Sequence, residues 1–410
     1  MLFTKIKKCR ISNDKRLIKI GKLGKFSLTG TFNKTKKKQD HKTPIELVFS
    51  NKSKLLQLAH NYDENKLFGR NYGYRSSLNK SMIAHLKEKK NRLIKYLRSQ
   101  NNVSILDIGS NDGTLLNLFP NRLTKFGVDP TAKKFIKYYQ KGIKVIPKIF
   151  KKGIFQKSKK FKIITSVAMF YDLKDPLSFC KEVENNLDID GIFHVEVAYL
   201  PDILRLFSFD TFCQEHLTYF SFSSFNYLIK HTNLKIIDYH RNKINGGSIN
   251  FDIVFKSSKH KTKEKKLRKL RNQENKLGIN NSKTYKRFYK KLINKADEIN
   301  YKLSNIRKKN FKIYGYGAST KGNVLLQLCK LNDKIIDGIY DVNKEKFNLF
   351  TPGSNIKIIP EKLIKKNKND YILLLIWHFR KSILRNFKKY NFKNTKYIWP
   401  FPTIKISKKI

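Results

Sequence analysis

The chain has 410 residues, 88 Lys and Arg against 31 Asp and Glu, a formal charge of +57 and 40% hydrophobic residues. That length accommodates two or three domains, and 30 Phe with 20 Tyr supply ample core, which excludes a disordered or fibrous chain. No apolar run approaches about 18 residues, so no membrane span is expected. The start, Met1-Leu2-Phe3-Thr4-Lys5, lacks the apolar stretch of a secretory signal. Four scattered cysteines (Cys9, Cys180, Cys213, Cys329) suit a reducing, cytoplasmic setting better than a disulfide framework. The positive charge invites a nucleic-acid reading, but the lysines are dispersed along every segment and accompany abundant Asn and Ile. Compositional drift explains them better than a binding patch, and nucleic acid is not the expected partner. The positive field should still draw anionic ligands, nucleotide diphosphates among them.

In chain order, residues 1–60 read as short β pieces, with Leu17-Ile18-Lys19-Ile20 stopping at Gly21 and Leu47-Val48-Phe49 forming another. Residues 78–98 have helical period through Met82, Leu86, Leu93, Ile94 and Leu97. From 103 to about 257, apolar strand candidates at 104–108, 125–129, 143–146, 161–166, 192–197, 234–238 and 249–255 alternate with helical stretches. Such alternation predicts a parallel-rich α/β sheet. Residues 258–309 are highly charged, with Leu267, Leu270, Leu277, Leu292 and Ile293 at helical spacing, which favours a helical connector over a disordered basic linker. A second α/β unit follows: a strand at 311–314, a glycine loop from Gly315 to Gly322, a helix at 323–329, and strands at Ile335-Ile336 and 371–375.

The most informative stretch is Ser104-Ile105-Leu106-Asp107-Ile108-Gly109-Ser110-Asn111-Asp112-Gly113-Thr114, followed by a second apolar run ending at Asp129. Strand, glycine turn, helix and a strand closing on a carboxylate form a nucleotide-binding half, with the carboxylate suited to ribose hydroxyls. The loop lacks the third glycine of a dinucleotide fingerprint and the Lys-Ser/Thr of a P-loop. It resembles motif I of class I S-adenosylmethionine (SAM) methyltransferases, with Asp129 as motif II. Further groups are Asn71-Tyr72-Gly73-Tyr74-Arg75-Ser76-Ser77, Met169-Phe170-Tyr171-Asp172, Cys213-Gln214-Glu215-His216, Asn245-Gly246-Gly247-Ser248, the second glycine loop through Lys321-Gly322-Asn323, and Trp377-His378-Phe379. In this order, from about residue 9 to 405, they resemble the three-part sugar C-methyltransferases that act on nucleotide-linked 4-ketohexoses.

The resemblance implies an α/β fold in three parts. These are an N-terminal degenerate zinc-ribbon-like lobe (1–68), a class I methyltransferase Rossmann-like central domain (69–257) and, after a basic helical connector (258–310), a second Rossmann-like C-terminal domain (311–410). It implies SAM across Asp107, Gly109, Asn111, Asp112 and Gly113, Asp129 on the ribose, and Met169 at the methionine end. Methylating a carbon beside a ketone requires a base, a donor for the enolate oxygen and an aligned methyl group, and His suits the base role. The resemblance puts His216 there with Glu215 as its partner, and Tyr74 or Tyr72 as enolate stabiliser. From the residues alone, a core histidine, a surface glutamate and loop aromatics are the alternatives. Asn245, Gly246 and Gly247 would lie near the sugar, although a plain hairpin turn reads equally well. Gly315, Gly317 and Lys321 form an anion site at a helix start, which with His378 would bind the nucleotide diphosphate.

Two departures stand out. Cys213 replaces the family's tyrosine, which leaves the acceptor's identity open. The two Cys-x-x-Cys pairs of the family's zinc lobe read Cys9-Arg10-Ile11-Ser12 and Ser50-Asn51-Lys52-Ser53. Serine hydroxyls do not replace thiolates, so no zinc or other metal is expected. The partner is then a nucleotide-linked sugar or related anionic small molecule, and the assembly a monomer or homodimer. O- or N-methyl transfer on the same scaffold, and a nucleic-acid-associated methyltransferase-like protein, are the rival readings.

Overall fold

A computed structural model of the chain describes residues 2–36, 41–68, 74–97, 103–365, 368, 370–387, 390 and 394–408. The apolar runs from 104 onward build a seven-stranded sheet in the order Leu234–Asn242, Ser248–Phe255, Leu187–Ala198, Phe161–Val167, Ser104–Ile108, Thr124–Val128, Lys144–Ile146. Ser248–Phe255 pairs antiparallel with both neighbours, and the remaining pairings are parallel. This is the strand order of a class I methyltransferase, with the nucleotide crevice at the carboxyl ends of the strands flanking Ser104–Ile108. Central strands covered on both faces read as continuous apolar runs; Ile105, Leu106 and Ile108 are each 1% exposed.

The helical period of 78–98 resolves into the helix Lys80–Leu93, capped by Asn79, and a 3₁₀ turn Ile94–Leu97. Its buried face carries two unpredicted polar groups. His85 and Lys89 lie 3.0 and 2.7 Å from the buried carboxylate of Glu196, and that pairing offsets the cost of burying the charges.

The second α/β unit forms a six-stranded sheet in the order Ile358–Pro360, Gly338–Asp341, Ile313–Tyr316, Tyr371–Leu374, Lys396–Trp399, Lys405–Ser407, parallel except for the last strand. The expected strand at Ile335-Ile336 is a turn, and the strand begins at Gly338. Residues 258–309 hold the helices Glu264–Lys276 and Ser282–Lys308.

At the N-terminus, Leu17–Ser27, Lys42–Ser50 and Leu55–Leu58 form an antiparallel sheet that Thr218–Tyr219 completes. The strand expected to stop at Gly21 continues to Ser27 through two bulges. Gly21 is there for packing. A Cβ would sit 2.4 Å from the ring of Tyr289, whose hydroxyl donates to the Lys22 carbonyl at 2.7 Å. Because the long helix Ser282–Lys308 packs on this sheet and on the C-terminal unit, all three share one apolar core. No helix among the described residues is long and apolar enough to cross a membrane.

Candidate active site

A cavity of about 870 Å³ runs from the end of Ser104–Ile108 to the start of the helix Thr320–Leu328. At one end, the chain leaves the strand through Gly109, whose φ of +79° and 2.6 Å clearance to Met169 Cγ admit no side chain. The Asp129 carboxylate faces this loop. Oδ2 accepts from the Asn111 N–H at 2.8 Å, and Oδ1 accepts from the Thr131 N–H and hydroxyl at 2.6 Å each. Behind it, Asp107 accepts the Thr165 hydroxyl at 2.6 Å, and burial pushes its carboxyl up to about 7.

Asp107, Gly109, Asn111, Asp129 and Met169 line the cavity, as does Tyr74. Asp112 and Gly113 do not; they hold the wall. Asp112 accepts the Ser77 N–H at 3.0 Å and the Thr114 hydroxyl at 2.5 Å. Asn111 and Asp112 thereby pin the segment 74–78 over the loop, with Asn111 donating to the Tyr74 carbonyl at 3.3 Å. Tyr72 lies outside the described residues.

At the other end stand Thr211, Glu215, His216, Asn245, Lys321 and His378. His216 Nδ1 lies 2.9 Å from the Thr211 carbonyl, which can only accept, so Nδ1 carries the proton. Nε2 then carries the lone pair. Burial, and secondarily Lys321, push the imidazole down to about 3, which keeps it neutral. Its ring rests edge-on against Tyr171 at 4.5 Å.

The expected pairing of Glu215 with His216 is corrected. Glu215 turns towards the N-terminal sheet, where Oε2 accepts the Thr29 hydroxyl at 3.0 Å and Oε1 packs on Gly30. Thr211 is the group that orients the histidine. Lys321, half-buried, donates to the Asn245 carbonyl at 2.6 Å, with its pKa lowered by desolvation. Gly246, Gly247, Gly315 and Gly317 do not line the cavity. Gly315 belongs to the strand Ile313–Tyr316 and packs on Ile339, while Gly246 lies under Trp377.

Two family models match successive parts of the chain: a methyltransferase domain over residues 78–239 and a C-methyltransferase C-terminal domain over 243–402. The C-methyltransferase NovU of Streptomyces niveus is 26% identical over 404 residues, covering 97% of this chain and 96% of that protein. The chain is a SAM-dependent methyltransferase. The two matches follow one another in order along the chain, the second to the C-methyltransferase C-terminal domain. Among solved structures, the plantazolicin methyltransferase BpumL in complex with SAH is 13% identical, with a TM-score of 0.36 over 43% of this chain and 86% of that one. The N-methyltransferase NodS of Bradyrhizobium japonicum WM9 is 11% identical, with a TM-score of 0.32 over 43% of this chain and 98% of that one.

The methyltransferase's own residues fit SAM at the motif I end. The glycine cradle there is too tight for a Cβ, and Asp129 Oδ2 retains acceptor capacity for a ribose hydroxyl. Zinc does not fit the N-terminal lobe. The four candidate positions do converge, with Cys9 Sγ 3.2 Å from Ser53 Oγ and Ser12 Oγ 3.3 Å from Ser50 Oγ. They offer one thiol and three hydroxyls.

Sequence reasoning missed Thr29, Gly30, Thr211 and Asp172. Thr29 and Gly30 sit in a featureless turn, and their role depends on the lobe folding back over 185 residues later in the chain. Asp172 did carry a signal, as an acid closing the apolar segment Met169-Phe170-Tyr171.

Proposed function

We propose that the enzyme transfers the SAM methyl group to the carbon beside the carbonyl of a nucleotide-linked ketosugar, through an enolate. The observation that carries this reading is His216, held neutral with Nδ1 on the Thr211 carbonyl, in a cavity shared with the SAM loop. An imidazole that is neutral, with Nε2 unprotonated and on the cavity wall, can accept a proton from a carbon acid. Lys321 and the Ser319-Thr320 start of the helix suit an anionic group of the acceptor, and Asn245, bonded to Lys321, lines the same cavity. Tyr74, on the wall near motif I, would face the reacting carbonyl. The enzyme would contribute mainly orientation and proton transfer, since the sulfonium methyl is intrinsically reactive.

The test is His216→Ala with a nucleoside-diphosphate 4-ketohexose in D₂O. The variant should keep SAM affinity yet lose both methyl transfer and exchange of the substrate α-hydrogen. Undiminished exchange would assign the base elsewhere.

A further inference from the structure

The stretch Tyr171-Asp172 runs beside Glu215-His216-Leu217-Thr218. The Tyr171 carbonyl accepts the Leu217 N–H at 2.9 Å and the Thr218 hydroxyl at 3.1 Å, and Tyr171 supports the His216 ring. This strap brings Asp172 into the wall of the cavity that His216 and Glu215 also line. Asp172 Oδ1 is buried without a hydrogen-bond partner among the described residues. A buried carboxylate lacking partners is costly, whereas a neutral carboxylic acid with its O–H aimed at a ligand is not. Glu215 differs in part: its Oε2 is met by the Thr29 hydroxyl, whereas Oε1, like Asp172 Oδ1, has no hydrogen-bond partner among the described residues, and burial raises this carboxyl as well.

We infer that Asp172 acts as a neutral carboxylic acid that hydrogen-bonds the substrate's carbonyl oxygen, and that Glu215 is a positioning residue that keeps it protonated. This rests on the enolate reading above. Burial first, and the Glu215 charge second, raise Asp172 well above the carboxylate range. His216 is pushed the opposite way, so acid and base are separated at pH 7. The other titratable groups around Asp172 leave this assignment intact. Cys213 and Tyr219 are held neutral by burial. Lys174 and Glu64, also on the cavity wall, pair with each other at 3.2 Å. Lys321 donates to Asn245.

In the reaction, His216 Nε2 takes the α-hydrogen as a proton, and the C–H electron pair becomes the enolate double bond. The charge arriving on the carbonyl oxygen is met by the Asp172 O–H, which polarises the ketone as the α-proton leaves. The enolate carbon bonds the methyl group while the methyl–sulfur pair returns to sulfur as a thioether. The carbonyl re-forms, Asp172 keeps its proton, and His216 releases its own to solvent.

The experiment compares kcat/KM against pH for wild type, Asp172→Asn, Asp172→Leu and Glu215→Gln, with SAM affinity as the check on folding. Asn retains a neutral donor, so D172N should stay within about 10-fold of wild type yet lose the alkaline fall in activity. D172L should lose about 100-fold, as when an oxyanion donor is removed. E215Q removes the neighbouring charge, so its alkaline limb should move to lower pH. An alkaline limb that is unmoved in both D172N and E215Q overturns the assignment, as does a D172N as inactive as D172L. If D172L fails to bind SAM, the two limbs decide. Absence of α-hydrogen exchange by wild type would instead remove the enolate reading itself, and exchange with unmoved limbs removes only the role of Asp172.

Discussion

Thr29 is the most exacting place to perturb the site without touching the cavity. It is fully buried, its hydroxyl lies 3.0 Å from Glu215 Oε2 and 3.2 Å from Gln214 Oε1, and its carbonyl accepts from Asn323 Nδ2 at 2.7 Å. Thr29→Val keeps the volume and removes the hydroxyl. A hydrogen bond to a charged group is worth roughly 1.5–3 kcal/mol, so if Glu215 must hold its place during turnover, kcat should fall about 10- to 100-fold. Gly30→Ala tests the same contact by bulk. Its Cβ would lie 2.5 Å from Glu215 Oε1, and the carboxylate must retreat by roughly 0.9 Å to reach ordinary contact at 3.4 Å. The assay is kcat and KM for the acceptor, with SAM affinity and Tm in parallel. Thr29→Ser should restore most of the rate because it restores the donor. Wild-type kcat in the Val variant would refute the reasoning, as would equal losses in Val and Ser.

Gly109→Ala places a side chain at φ +79° and 2.6 Å from Met169 Cγ, and it should weaken SAM binding at least about 10-fold by calorimetry. Asp107 gives a pH-dependent prediction whose sign is fixed. Its folded-state pKa is raised to about 7, so the carboxyl favours folding while protonated and loses that contribution as pH rises towards 7. Asp107→Asn should therefore match wild-type stability near pH 4 and exceed it above pH 7, with about 4 kcal/mol as the upper bound. Urea titrations at the two pH values would show it, and a variant advantage that is constant with pH would contradict it.

What the sequence disclosed was whatever local pattern can encode. The strands of the methyltransferase sheet fall where apolar runs meet glycine or turn residues, and observed ends at 108, 128 and 146 differ by at most one residue from those expected. Gly109 and Asp129 were legible as a tight turn and as an acid closing the next strand, because both leave compositional marks. The errors come from tertiary context. Gly21 looks like a strand end, but only the ring of Tyr289, more than 260 residues away, explains it as a packing site within a strand. Glu215 and His216 are adjacent in sequence and were taken as partners, yet at the 3₁₀ turn Phe209–Thr211 a nearby carbonyl takes the histidine while the glutamate points the other way. Neighbours in sequence can face opposite walls, and no spacing rule says which.

The N-terminal lobe illustrates why a degenerate ligand set need not mean a dispensable module. One thiol and three hydroxyls do not hold structural zinc, and the lobe's cohesion comes instead from its packing. Its sheet takes in Thr218–Tyr219, two residues beyond His216, as the strand beside Leu55–Leu58. Its turn donates Thr29 to Glu215 and receives Asn323 from the C-terminal unit. Gln214 in turn donates to the carbonyls of Phe26 and Ser27. The segment bearing His216 is thus clamped by the lobe on both sides of that residue. Loosening the lobe would release Glu215 and the strap under the imidazole together, so the geometry of the cavity depends on this fold independently of any metal.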